Sequence, residues 1–161
     1  MYSMIGKQNC REQFIIGDYD GLKFTEKKRS TPEYGPQFYA AQSFEANGRR
    51  ILIGWLFDWD IKVNPKSKSA GAMTIPREVH IIDGEMTLYP VEEAWELLKE
   101  VDINCFGASQ GMVDINAMKI VTENYFEKIE NIEVLIDENS TEIFVNKGRQ
   151  NFSFNECNRG V

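Results

Sequence analysis

The feature that most narrows the fold is a hairpin signature that recurs along the first ninety residues. Asn47-Gly48 separates Phe38-Tyr39-Ala40-Ala41-Gln42-Ser43-Phe44 from Ile51-Leu52-Ile53-Gly54-Trp55. Asn-Gly between two such runs signals a two-residue β-turn, because both turn positions need positive φ. Asp83-Gly84 does the same between Glu78-Val79-His80-Ile81-Ile82 and Glu85-Met86-Thr87-Leu88-Tyr89. Earlier, Phe14-Ile15-Ile16 leads into the turn Asp18-Tyr19-Asp20-Gly21, and Leu22-Lys23-Phe24-Thr25 then alternates apolar and polar. Hairpins spaced roughly 30 residues apart suggest a repeated β-unit such as a propeller blade, though a sandwich has similar spacing.

Pro90 closes this region. Val91 to Val101 reads as a short amphipathic helix. Glu92 and Glu93 complement its dipole, and Ala94, Leu97, Leu98 and Val101 share a face. Residues 102 to 130 fit neither template. Ile132-Glu133-Val134-Leu135-Ile136 and Thr141-Glu142-Ile143-Phe144-Val145 then form a hairpin across Asp137-Glu138-Asn139-Ser140. Alternation puts Ile132, Val134 and Ile136 on its inner face, and Phe152-Ser153-Phe154 supplies a third strand. The chain divides at residue 90, into units 1–90 and 91–161.

Composition excludes several classes. The net charge is −7 and no basic stretch exceeds Lys27-Lys28-Arg29, so no nucleic-acid footprint is expected. No apolar run approaches the roughly 20 residues of a membrane span. The three cysteines, Cys10, Cys105 and Cys157, are widely spaced and odd in number, which points to free thiols in the cytoplasm. With one histidine, His80, and no CxxC pair, neither a metal site nor a cofactor is expected.

Three stretches resemble glycoside hydrolase family 32, the invertases and sucrose-6-phosphate hydrolases. Glu33-Tyr34-Gly35-Pro36-Gln37-Phe38-Tyr39-Ala40-Ala41-Gln42-Ser43-Phe44, with Arg49-Arg50-Ile51-Leu52-Ile53-Gly54-Trp55, is similar to the family's D-Y-G-x-D-F-Y-A-x-Q-x-F and R-R-I-L-I-G-W block. Ala70-Gly71-Ala72-Met73-Thr74-Ile75-Pro76-Arg77-Glu78 is similar to W-A-G-A-M-T-L-P-R-E-L, and Tyr89-Pro90-Val91-Glu92-Glu93 follows where the family has its P-V-x-E. The run from Val134 to Gly148 resembles the strand pair D-x-S-S-x-E-x-F-V-N-D-G of the family's C-terminal sandwich. The resemblance implies an all-β fold. The closing blades of a five-bladed β-propeller occupy residues 1–90. A short linker helix and a truncated β-sandwich occupy residues 91–161.

The family hydrolyses β-fructosides with retention, which needs two carboxyl groups about 5 to 5.5 Å apart. They are carried by an N-D-P-N-G segment and an E-C motif, with a third carboxylate in R-D-P. Neither N-D-P-N-G nor R-D-P occurs here, and the Glu156-Cys157 dipeptide lies after the sandwich motif at the extreme C-terminus, not in the place expected of the E-C motif. No catalytic residue is therefore assigned. The resemblance places four positions near a fructoside: Glu33 and Gln37, where the family has Asp, together with Tyr39 and Ser69, the latter where it has Trp.

The remaining candidates have plainer readings. Arg77 and Glu78 suit a structural ion pair closing a blade, and Trp55 and Trp59 suit blade packing. His80 is mid-strand, Cys105 reads as a small buried hydrophobe, and Asp18 and Asp20 flank a turn. The expected function is that of a C-terminal fragment or truncated homologue of a β-fructosidase, inactive alone. The alternatives are a free-standing β-module that binds carbohydrate or a protein, or a new site built from Asp20, Glu33 and Glu78. Open blade faces carrying Phe38, Phe44, Ile51, Ile53 and Trp55 point to a homodimer, or to a chain supplying the missing blades.

Overall fold

The computed structural model describes residues 2–7, 10–57, 69–97, 130–137 and 140–155, with side chains from residue 12 onward. Trp59, the 62–68 loop, the second half of the 91–101 helix, residues 102–129 and Glu156-Cys157 lie outside the described residues.

Strands β1 (Tyr2–Lys7), β2 (Cys10–Tyr19) and β3 (Phe24–Ser30) form one antiparallel sheet in that order. The second sheet runs β4 (Phe38–Ala46), β5 (Arg49–Leu56), β7 (Arg77–Ile82), β8 (Glu85–Pro90), with the two-residue β6 (Ala72–Met73) also on β5. The third is β9 (Ile132–Ile136), β10 (Ser140–Val145) and β11 (Gln150–Asn155), with β10 central. The only helix among the described residues, α1, covers Glu92–Trp95.

The turn pairs behave as their residues dictate. Asn47 and Gly48 have φ of 51° and 76°, and Asp83 and Gly84 have 55° and 74°, which close Ala46 onto Arg49 and Ile82 onto Glu85. The first turn tightens later than its sequence suggests, with Tyr19 opposite Phe24 and Asp20 accepting the Leu22 and Lys23 amides. Strand β1, a stretch of mixed polarity, pairs with β2 from Tyr2 opposite Ile16 to Lys7 opposite Cys10.

The first two sheets pack face to face through Phe14, Phe38, Ala41, Leu52, Leu56, Met86 and Leu88, with Ile16 and Val79 at the margin. A smaller cluster of Ile51, Val91 and Ala94 seats α1 on the opposite face of the second sheet. Phe38 and Ile51 thus belong to separate clusters and Phe44 is half exposed, so the five apolar residues expected on one open blade face do not form one.

Strand β10 is buried from Ser140 to Val145, on both faces. On one side Ile143 and Val145 pack with Phe152, Val134, Phe154 and Tyr34. On the other, Glu142 and Phe144 face the second sheet. On β9 the expected inner face is only partly realised. Ile132 is 44% exposed, whereas Leu135, cross-strand partner of Glu142, is 8% exposed.

Candidate functional site

The polar residues that the motifs supply converge on a joint between the second and third sheets. At its centre is Arg77 at the start of β7, fully buried, with Glu33 at 1% and Glu142 at 3% exposure. Arg77 Nη1 donates to Glu33 Oε2 at 2.6 Å, and Nη2 donates to Glu142 Oε2 at 2.7 Å. Nε adds a 3.2 Å bond to the same Glu142 oxygen. The Ser153 hydroxyl accepts from Nη2 at 2.6 Å and donates to Glu33 Oε2 at 3.0 Å. Backbone amides complete the set, Gly35 donating to Glu33 Oε1 at 2.9 Å and Ile75 to Glu142 Oε1 at 2.7 Å. The guanidinium lies between the rings of Phe38 and Phe144, 5.3 Å and 5.0 Å from their centroids.

Electrostatics explain why the charges tolerate burial. Desolvation alone would pull Arg77 down, but the charges of Glu142 and Glu33 outweigh it and hold the guanidinium above its ordinary value. Burial pushes the Glu142 carboxyl up, with a smaller push from Glu33, against the opposing pull of Arg77 and the Ile75 amide. A charge-assisted network with every arm bonded is strong, and it is costly to break at one member.

The chain around the motif residues is built for this joint. Tyr34 donates its amide to Asn151 O and Asn151 donates to Pro32 O, both at 2.7 Å, so residues 32–34 run beside β11. A Cβ on Gly35 would sit 2.3 Å from Ser153 N, which leaves glycine as the residue that fits. Gln37 Oε1 accepts the Asn155 amide at 2.5 Å, while Asn155 Nδ2 donates to Leu56 O at 2.7 Å and Asn151 Nδ2 to Leu88 O at 3.1 Å.

The four positions singled out for a fructoside therefore divide. Glu33 and Gln37 lie in the buried joint. Tyr39 is half-buried on β4, opposite Trp55, with ring centroids 6.5 Å apart. Ser69 is exposed, next to Ala70, whose carbonyl accepts the Trp55 indole N–H at 3.0 Å. Trp55 also stacks on Phe57 at 4.4 Å. Arg77 has the ion-pairing role read from the sequence, with partners 44 and 65 residues away. Glu78 instead faces Arg49 and His80 at 3.8 Å and 3.5 Å, and Asp20 caps its own exposed turn. Asp20, Glu33 and Glu78 thus have three different sets of partners. Sequence reasoning missed Glu142 and Ser153 as partners of Arg77. Their one signal was a polar residue alternating with buried apolar ones in short strands.

Residues 1–90 match the family model described as the glycosyl hydrolases family 32 N-terminal domain. The chain belongs to glycosyl hydrolase family 32. Among family 32 relatives, a sucrose-6-phosphate hydrolase of Zymomonas mobilis is 40% identical over 90 residues, covering 54% of this chain and 17% of the relative. A raffinose invertase of Escherichia coli is 38% identical over 94 residues, covering 57% of this chain and 18% of its own length. The chain thus spans under a fifth of the length of these relatives. A family 32 structure from Bifidobacterium adolescentis aligns with 92% of this chain and 33% of its own, with a TM-score of 0.66 at 21% identity. That likeness shows an all-β fold in common.

Among the described residues no group of His, Cys, Asp and Glu is arranged to hold a metal ion, and no helix is long and apolar enough to cross a membrane.

Proposed function

We propose that this chain is the C-terminal portion, or a truncated homologue, of a β-fructosidase acting on sucrose, sucrose 6-phosphate or fructans, and that it has no hydrolytic activity alone. In this reading the first two sheets are closing blades of a propeller and the third belongs to a shortened sandwich. The observation that carries it is the state of the buried carboxylates. Glu33 and Glu142 lie on opposite arms of one guanidinium, sealed from solvent, where neither can reach a sugar carbon. The sequence also lacks N-D-P-N-G and R-D-P, the segments that carry two of the family's carboxylates.

In this reading Tyr39 and Ser69 are the residues that meet a fructoside; Tyr39 lies opposite Trp55, and Ser69 adjoins Ala70, which accepts the Trp55 indole N–H. Glu33 and Gln37 act indirectly, by fixing the segment that leads into β4. The cytoplasm is the proposed location, from the unpaired cysteine count.

The expected outcome is no release of reducing sugar from sucrose, sucrose 6-phosphate or inulin above a heat-killed control. Release that disappears in Glu33→Gln but persists in Glu45→Gln, an exposed position, would overturn the reading. A free-standing module that binds carbohydrate or a protein is the second reading, and the joint favours it by making the two parts of the chain a single body. Mass spectrometry of the native protein separates the two. A longer chain, or a co-purifying partner bearing N-D-P-N-G, supports the fragment. A chain beginning at Met1, alone or as a homodimer, supports the module.

A further inference from the structure

Strand β4 carries one residue more than β5 needs. Phe38 is opposite Leu56, Tyr39 opposite Trp55 and Gln42 opposite Ile53, so Ala40 and Ala41 together face Gly54. Ala40 takes a φ of 49°, a left-handed conformation unfavourable to a residue with a Cβ. A Cβ on Gly54 would lie 2.4 Å from the Phe38 ring, so glycine is what lets that ring cross the bulge.

The bulge decides which aromatic ring enters the core. The Asn47-Gly48 turn fixes the pairing from Ala46 opposite Arg49 back to Gln42 opposite Ile53. Regular pairing continued from there would bring Tyr39 opposite Leu56, on the core face. Tyr39 would then point inward and Phe38 outward, because a slip of one residue exchanges the faces of a strand. The extra residue prevents this. Phe38 and Ala41 both pack in the core, and the Phe38 ring meets the Arg77 guanidinium. Tyr39 stays half-buried on the other face, its ring 6.5 Å from that of Trp55. Trp55 is fixed separately, by stacking on Phe57 and by its bond to Ala70 O.

What holds the bulge comes from the other sheet. Glu12, on β2 and 2% exposed, accepts the Ala41 amide on Oε1 at 3.1 Å. The Ala40 amide adds a weaker interaction with the same carboxyl. Consecutive amides beside a left-handed residue form a seat for such an oxygen. A buried amide without an acceptor is costly, so an oxygen from outside the sheet is what allows the irregularity to be buried.

We propose that Glu12 is a positioning residue: from the first sheet it clamps the β4 bulge, and so sets Tyr39 against Trp55 on the face that a furanose ring of the substrate meets. Only the identity of that ligand rests on the function proposed above. The clamp itself rests on the register and the hydrogen bond.

The test follows the Tyr39–Trp55 ring contact by proton NMR cross-peaks in the full chain and three variants. Glu12→Ala removes the acceptor. Glu12→Gln keeps a carbonyl oxygen for the Ala41 amide. Leu52→Ala loosens the same core without touching the clamp. The expected result is loss of the cross-peaks in Glu12→Ala and their retention in Glu12→Gln and Leu52→Ala. Cross-peaks intact in Glu12→Ala, or lost equally in Leu52→Ala, would overturn the proposal. Because Glu12→Ala can fail to fold, hydrogen exchange of the Ala41 amide is also measured in the unaltered chain. Exchange as slow as that of the Leu52 amide is expected, and exchange as fast as that of Gly48 at the turn would overturn the clamp. Sucrose is then titrated into the same samples. Shifts at Tyr39 in the unaltered chain and Glu12→Gln, absent in Glu12→Ala, are expected. If sucrose shifts nothing in the unaltered chain while the ring contacts behave as described, the fructoside reading fails and the clamp stands.

Discussion

Arg77 shows how a polar side chain becomes an organising residue of a core. Its guanidinium makes four hydrogen bonds, to two carboxylates and a hydroxyl, and lies over the rings of Phe38 and Phe144. Replacing Arg77 with Met keeps the volume but leaves Glu33 and Glu142 buried against each other. Removing one partner of a buried ion pair costs about 3–5 kcal/mol, so urea denaturation of Arg77→Met should show a loss of that order. The triple variant Arg77→Met, Glu33→Gln, Glu142→Gln should recover most of it, since no buried charge is then unmatched. A triple variant no more stable than the single one would mean that shape, not charge, holds the joint. Of this centre, the sequence made Arg77 legible as a structural ion-pairing residue. Its partners were not, because nothing local links residue 77 to residues 142 and 153.

At the scale of elements, legibility follows the range of the determining interaction. The hairpins at Asn47-Gly48 and Asp83-Gly84 are settled by two residues each, and the register around them matches their turn chemistry. Strand β1 is settled by its pairing with β2, and no periodicity within residues 2–7 announces it. The third sheet shows the same limit. Alternation in Ile132 to Ile136 identified the strand and the face on which Val134 packs, but not the second covered face, where Leu135 lies beside Glu142 of the fully buried β10. This gives an ordering for two substitutions. Leu135→Asp places a second carboxylate directly across from Glu142 in a buried setting, at a cost of about 3 kcal/mol or more. Ile136→Asp enters a half-buried position and should cost distinctly less. Thermal melts of the pair decide it, and the reverse order would show that the apolar side around Ile143 and Phe152 dominates the sheet.

At the scale of the whole molecule, the family match ends at residue 90 but the packing does not. Arg77, Gln37, Leu56 and Leu88 all take hydrogen-bond partners from residues 140–155. The Tyr89 hydroxyl also donates to Glu133 at 2.7 Å, and burial together with that bond raises its pKa well above the ordinary phenol value. The first two sheets should therefore not hold their structure without the third. All three tryptophans, Trp55, Trp59 and Trp95, precede residue 97, so tryptophan fluorescence, excited selectively, comes from the first part of the chain. Far-ultraviolet circular dichroism reports strands throughout. In the intact chain the two signals should follow one coincident unfolding transition, the mark of a single cooperative unit. A chain ending at Leu97 would expose Glu33 and Arg77 without Glu142 or Ser153, and leave the sides of Phe38 and Leu88 open to water. It should show no cooperative fluorescence transition and should aggregate at micromolar concentration. If residues 1–97 instead melted sharply at the temperature of the full chain, the joint would be an ornament on a self-sufficient pair of sheets.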